Sequence, residues 1–100
     1  MSVSFVAQSI EKTRRIVLKY APAETRIFLF GSRARGQGLR GSDVDVGFLG
    51  KKPVEKIYFS RIHQELEESS VPFQVDLVDF FGKSERFRKI ALKKTILWKS

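Results

Sequence analysis

The sequence predicts an α/β (α+β) fold, in which a small mixed β-sheet is packed by helices. Segments with helical periodicity alternate along the chain with short runs of β-branched and aromatic residues, and this alternation is typical of that class. No repeat, low-complexity tract or linker divides the 100 residues. Because a chain of this length supports one small hydrophobic core, we expect residues 1–100 to form a single domain.

Three segments have the periodicity of amphipathic helices. In residues 3–20, apolar side chains recur every three or four positions. A second helix is expected over residues 53–69, where a proline suits the first turn and His63 is expected to be a surface or partner contact. A third helix is expected over residues 85–98, with Ser84 as its N-cap.

Three other segments have the composition of β-strands. Residues 25–30 form a β-branched and aromatic run that a glycine ends. Residues 42–49 alternate apolar and polar side chains, which directs Asp43 and Asp45 to the same face of the strand. Residues 72–80 provide the third strand, so helices and strands alternate through most of the chain.

The composition limits the chemistry that this chain can perform. It contains no cysteine, which excludes disulfides, thiolate chemistry and cysteine-zinc sites. It contains a single histidine, which leaves little basis for a histidine-dependent enzyme. Any metal ion must therefore be bound mainly by oxygen, and this favours Mg²⁺, with Mn²⁺ as the alternative.

The chain is strongly basic. Nineteen Lys and Arg residues oppose eleven Asp and Glu residues, which gives a net charge of +8. Such an excess favours an anionic partner: a nucleotide, a nucleic acid or an acidic protein surface. No apolar run approaches the roughly 18 residues of a membrane span, and the first residues lack the order of a signal peptide. We therefore expect a cytoplasmic protein that does not enter the membrane.

The loop after the first predicted strand has the properties of a phosphate-binding site. Gly31 lets the backbone approach a ligand closely, and Ser32 adds a hydroxyl group and a backbone N–H. If a short helix begins there, its N-terminus favours phosphate oxygens. Arg33, Arg35 and Arg40 add guanidinium groups, whose geometry matches that of phosphate. We therefore expect this loop to bind a polyphosphate.

Two aspartates follow this loop on one strand. Asp43 and Asp45 would repel each other unless a cation lay between them, and phosphoryl and nucleotidyl transfer enzymes neutralise such pairs with magnesium ions about 3.5–4 Å apart. A third carboxylate on an adjacent strand is expected, either to complete the site or to accept a proton from an attacking hydroxyl group. Asp76 and Asp79 are both candidates, but their spacing directs them to opposite faces, so only one can join the site.

The loop and the aspartates together resemble the pattern G-S-x-x-x-G-x-x-x-x-x-S-D-x-D of the DNA polymerase beta-like nucleotidyltransferase superfamily. The fixed positions are Gly31, Ser32, Gly36, Ser42, Asp43 and Asp45. The segment "GSRARG" and the length of the chain are similar to those of minimal nucleotidyltransferases (MNT), the antitoxin-like partners of HEPN proteins. The resemblance spans nearly the whole chain and implies a polymerase beta-like nucleotidyltransferase core.

This resemblance implies transfer of a nucleoside monophosphate, AMP in particular, from a nucleoside triphosphate to an acceptor hydroxyl group. It implies ATP as the nucleotide, two Mg²⁺ ions as cofactors, and a HEPN-domain protein as the partner that this chain, as an antitoxin, would modify. It favours Asp76 over Asp79. The residues it assigns to catalysis and metal binding are Asp43, Asp45 and Asp76. The residues it assigns to nucleotide binding are Gly31, Ser32, Arg33, Arg35 and Ser42.

Two other interpretations stay open. One is a catalytically silent subunit that binds nucleotide. The other is a basic nucleic-acid-binding domain, because residues 83–100 contain seven Lys or Arg residues and only one acidic residue. The presence of all three expected carboxylates favours the enzyme.

Overall fold

The computed structural model describes residues 4–36 and 43–100, and in these two ranges four helices alternate with four strands. In chain order they are α1 (Phe5–Lys19), β1 (Arg26–Phe30), α2 (Gly31–Ala34), β2 (Val44–Leu49), α3 (Lys56–Glu68), β3 (Val75–Asp79), α4 (Glu85–Ala91) and β4 (Ile96–Lys99). The mixed sheet with packed helices confirms the predicted fold class. Within the same two ranges, no helix combines the length and apolar character needed to cross a membrane.

The sheet brings three strand ends together. Its strand order is β3-β2-β1-β4, with β1 antiparallel to both β2 and β4. β2 is parallel to β3, and α3 supplies the crossover connection that a parallel pair requires. Consequently the C-terminal end of β1 lies beside the N-terminal ends of β2 and β3. The predicted site residues Gly31, Asp45 and Asp76 lie at this end of the sheet.

One face of the sheet packs against α1 and α3. Val17 of α1 and Ile62 of α3 are fully buried against alternate apolar side chains of β1, β2 and β3. The two helices are also joined by polar contacts, because Tyr20 Oη and Lys19 Nζ both donate hydrogen bonds to Glu65 Oε1, at 2.6 Å and 2.9 Å. This face forms the main core, and neither Asp45 nor Asp76 points to it.

The other face carries an aromatic cluster under α4. The ring centroid of Phe80 lies 5.2 Å from those of both Phe28 and Phe30 in edge-to-face contact, and 5.5 Å from that of Phe87 on α4. Gly47 of β2 lies against this cluster, and a Cβ atom there would overlap the rings of Phe28 and Phe80. Only glycine therefore fits at this position without displacing the rings.

The end of the chain differs from the prediction. Ser84 caps α4 as expected, since its side chain accepts a hydrogen bond from a backbone N–H of the first turn. However, α4 ends at Ala91, and residues 96–99 form β4, so the prediction of a helix reaching Trp98 is wrong. The unpaired edge of β1 offers backbone hydrogen-bonding groups, and the β-branched and aromatic residues of β4 pair with it.

Candidate active site

The candidate site lies where β1 ends and where β2 and β3 begin. In the register of the sheet, Phe30 at the end of β1 is opposite Asp45 of β2, and Asp45 is beside Asp76 of β3. The three positions therefore form one row across the sheet. Two of the expected loop residues, Arg40 and Ser42, lie outside the part of the chain that the structure describes.

The carboxyl groups of Asp45 and Asp76 are hydrogen-bonded to each other on the α4 face of the sheet. Burial, the charges of Asp76 and Asp43, and this hydrogen bond raise the pKa of Asp45, whereas the charge of Arg35 opposes the shift. Asp43 is exposed and directly precedes β2. Gln74 Nε2 donates a hydrogen bond of 3.2 Å to Asp76 Oδ1. The structure thus brings together three acidic groups whose mutual repulsion is relieved by protonation or by a cation.

Gly31 lies between these aspartates and the loop that the sequence predicts to bind phosphate. Its φ is 75°, a conformation that favours glycine, and a Cβ atom there would overlap the carboxylate of Asp45. Gly31 begins the short helix α2, whose first turn is closed by the hydrogen bond from Arg35 N to Gly31 O at 3.2 Å. Ser32 follows in the same turn and is half-buried. The predicted short helix is therefore present, and its first residues contact the aspartate site.

The two described arginines of the loop have different surroundings. The Arg33 guanidinium lies over the Phe73 ring, 5.4 Å from its centroid, at the start of the segment that leads into β3. Arg35 is exposed, and its charge is close enough to Asp45 to lower the pKa of that carboxyl group. Arg35 thus acts electrostatically on the acidic site.

Asp79 has a different role from Asp76. Its carboxylate accepts hydrogen bonds from the backbone N–H groups of Val54 at 2.9 Å and Phe81 at 3.0 Å. These bonds fix the segment before α3 and the turn after β3. Because Asp79 points to the α1 and α3 face, only Asp76 of the two candidates lies beside Asp45.

The three aspartates of the site offer the type of ligand atom that a hard divalent cation requires. Asp43, Asp45 and Asp76 offer only carboxylate oxygens, and such ligands suit Mg²⁺ and Mn²⁺. Burial and, after it, the charges of Asp76 and Asp43 raise the pKa of Asp45, and a cation would neutralise this negative charge. Within residues 4–36 and 43–100, however, no three His, Asp or Glu side chains are already arranged around one point as a metal site. The residues therefore fit a cation chemically without forming a closed cage.

Two residues near the site were missed in the sequence. Gln74 precedes β3 and shares the side of Asp76, two positions away, so its spacing was a usable signal. Its backbone also continues the sheet, because Gln74 O accepts a hydrogen bond of 2.9 Å from Val44 N. Phe73 gave no such signal, since its contact with Arg33 depends on the packing of α2 against the segment before β3.

The geometry and the sequence agree on a class of protein. Residues 10–98 match the family described as "Nucleotidyltransferase domain". The chain therefore belongs to the nucleotidyltransferase domain family, as the motif resemblance predicted. In particular, it is similar to Probable protein adenylyltransferase MntA of Haemophilus influenzae, with 30% identity over 79 residues that cover 79% of this chain and 69% of the relative.

Solved structures agree with this assignment. A chain from the crystal structure of a toxin-antitoxin with AMP-PNP has a TM-score of 0.65 and 26% identity, over 91% of this chain and 70% of that chain. A chain from the complex of tri-AMPylated Shewanella oneidensis HEPN toxin with MNT antitoxin has a TM-score of 0.64 and 20% identity, over 94% and 71% of the two chains. The second likeness is one of fold.

Proposed function

We propose that this chain transfers AMP from ATP to a hydroxyl group on a HEPN-type partner protein, and so acts as the antitoxin of a toxin-antitoxin pair. The observation that carries the proposal is the row formed by Asp45 and Asp76 beside Gly31 and the first turn of α2. This arrangement places two carboxylates next to the turn that we propose binds phosphate. The similarity to a protein adenylyltransferase and to a toxin-antitoxin with AMP-PNP supports the choice of AMP and of a protein acceptor. We propose a cytoplasmic location, where ATP is available.

The proposed roles follow from the positions of the side chains. Gly31 and Ser32 would bind the triphosphate through backbone N–H groups and the hydroxyl group, while Arg35 would offset its negative charge. Asp76 would accept the proton of the acceptor hydroxyl group. The acceptor oxygen would then bond to the α-phosphorus, and the bond from that phosphorus to the bridging oxygen would break, releasing pyrophosphate.

Magnesium dependence is part of the same proposal. Asp43 and Asp45 would hold Mg²⁺ together with Asp76, since all three offer oxygen ligands close to the phosphate-binding turn. Bound there, Mg²⁺ would supply positive charge that neutralises the triphosphate and stabilises the charge of the transition state. Without a cation, the repulsion that raises the pKa of Asp45 would also oppose the approach of a triphosphate.

The test follows a label from ATP to the acceptor. The chain is incubated with Mg²⁺, a purified HEPN-domain protein, and ATP labelled at either the α- or the γ-phosphate. We expect α-label on the partner and no γ-label. We expect the Asp43→Asn/Asp45→Asn double variant and addition of EDTA each to reduce transfer by at least about 100-fold, because one lost electrostatic contact at a reacting centre already costs about that much.

A matched variant makes the result specific. Asp79→Asn changes a carboxylate on the opposite face of β3 and should retain transfer, because Asp79 bonds only to structural backbone groups within the described residues. Transfer of γ-label alone would contradict the proposed reaction. Tight ATP binding with no transfer of either label would instead support the silent nucleotide-binding subunit.

A further inference from the structure

A groove borders Asp76 on the side away from the phosphate-binding turn. It runs between the C-terminal half of α3 and residues 71–76, and its volume is about 510 Å³. Its lining includes Leu66, Val71, Phe73, His63, Glu67 and Asp76. Because α3 and Asp76 lie on opposite faces of the sheet, this acceptor groove passes around the edge formed by β3. We propose that it binds the segment of the partner protein that carries the acceptor hydroxyl group.

The direction of the reaction supports this position, and the inference here rests on the proposed function. In phosphoryl transfer, the attacking and leaving oxygens lie roughly in line on opposite sides of the phosphorus. The turn at Gly31 is at the end of β1, Asp45 is on the central strand β2, and Asp76 is on β3. A leaving pyrophosphate held at the β1 side therefore requires the acceptor to attack from the β3 side, where the groove lies.

The edge position of β3 also leaves room for a second molecule. β3 is the terminal strand of the sheet, and in the part of the chain that the structure describes no further strand pairs with its outer edge. Asp76 is part of the groove lining and also lies beside Asp45, so the groove opens at the reacting end of the sheet. A segment lying in the groove would therefore reach the reacting end of the sheet.

The charge of the groove selects a peptide segment over a nucleic acid. Although the chain has a net charge of +8, the described lining contains the carboxylates of Glu67 and Asp76 and no Lys or Arg. A polyanion would be repelled there, whereas a neutral or basic segment would not. Leu66, Val71 and Phe73 supply apolar contacts. The expected occupant is thus a neutral or basic segment with apolar side chains flanking its hydroxyl group.

Two exposed positions allow the groove to be altered without disturbing the core. Glu67→Arg reverses a charge in the lining, and His63→Trp narrows the groove with a bulky side chain. Glu68→Arg is the matched control, because it makes the same charge change at an exposed position on α3 that lines pockets on the α1 side instead. The readouts are the KM for the HEPN-domain protein used in the transfer assay and the Kd for a non-hydrolysable ATP analogue.

We expect Glu67→Arg and His63→Trp each to raise the KM for the partner protein by about tenfold or more, the size of effect that an unfavourable charge or contact at an interface produces. The Kd for the ATP analogue should stay unchanged, and Glu68→Arg should alter neither value.

If the wild type transfers α-label and both groove variants keep its KM, the groove proposal is wrong while the proposed function stands. Loss of ATP-analogue binding in the groove variants would overturn it too, since the groove would then bind the nucleoside. An equal effect of Glu68→Arg would also count against it. If the wild type transfers no α-label to the partner protein, both the proposed function and this inference are wrong.

Discussion

At the scale of single residues, two glycines are required by space rather than by turn geometry alone. Gly31 leaves room for the Asp45 carboxylate, and Gly47 leaves room for the rings of Phe28 and Phe80. The sequence identified Gly31 as a functional position where the backbone approaches a ligand, because it precedes a serine at the end of a strand within a motif, but its contact with Asp45 is seen only in the fold. The sequence did not predict the second glycine, since Phe28 lies on β1 and Phe80 in the turn after β3, and only the folded sheet brings both rings against Gly47.

The raised pKa of Asp45 leads to a prediction about stability. The folded protein holds the Asp45 proton more tightly than the unfolded chain does, so the stability this group provides is complete below its unfolded pKa, near 3.8, and is lost as the pH rises through its higher folded pKa. Because asparagine does not ionise, Asp45→Asn removes this loss of stability at higher pH. Without divalent cations at pH 7, the variant should be more stable than the wild type, and the gain should be small because solvent screens this partly exposed group.

Thermal or urea unfolding in EDTA between pH 7 and pH 4 would test this prediction. The stability advantage of Asp45→Asn should shrink as the pH falls, because the wild-type carboxyl group becomes protonated. Adding Mg²⁺ should stabilise the wild type more than the variant. A variant less stable than the wild type at pH 7 in EDTA would show that the Asp45 carboxylate is stabilised, not strained, by its surroundings.

At the scale of elements, local patterns predicted where most helices and strands begin, and tertiary pairing decided where one of them ended. Ser84 identified the start of α4 because capping is a local interaction. Residues 96–99 became a strand because the edge of β1 lay within reach, and nothing in the segment itself reveals that edge. The choice between Asp76 and Asp79 had the same character. Strand alternation limited it to one of the two, the family resemblance favoured Asp76, and the pairing of β3 with β2 places Asp76 beside Asp45.

Asp79 provides a prediction at this scale. Its carboxylate joins the end of β3 to the segment before α3, through backbone N–H groups that lose their partner in Asp79→Ala. Because the Val54 donor is partly buried, although the Phe81 donor is exposed, the free energy of unfolding should fall by about 1–3 kcal/mol, as measured in urea. Asp76→Ala is the matched comparison. It should leave stability unchanged or slightly higher while abolishing transfer, and similar losses of stability in both variants would contradict the division of roles.

At the scale of the whole molecule, the sequence predicted the chemistry of the site better than it predicted how a partner protein would reach that site. Local periodicity predicts the fold class, and a motif of fixed spacing predicts the turn at Gly31 and the paired aspartates. The acceptor groove follows from neither, because His63, Phe73 and Asp76 contribute to one surface only after α3 has crossed between two parallel strands. Access to the site therefore depends on the crossover topology, which brings distant residues together at the edge of the sheet.

The distribution of charge over the whole molecule gives the last prediction, which concerns nucleic acid. Exposed cations lie on both sides of the sheet, for instance Arg15 on α1 and Arg61 on α3 on one side, and Arg86 and Lys89 on α4 on the other. Such a field attracts polyanions without forming one continuous binding track. Labelled 20-nucleotide DNA should therefore bind weakly at 150 mM salt, with a Kd in the range of about 10⁻⁶–10⁻⁴ M that is typical of non-specific binding and that Asp45→Asn leaves unchanged. Fluorescence anisotropy at 50 and 150 mM salt would measure this. Nanomolar, sequence-dependent binding at the higher salt would instead favour a nucleic-acid-binding domain over an enzyme whose anionic ligand is a nucleotide.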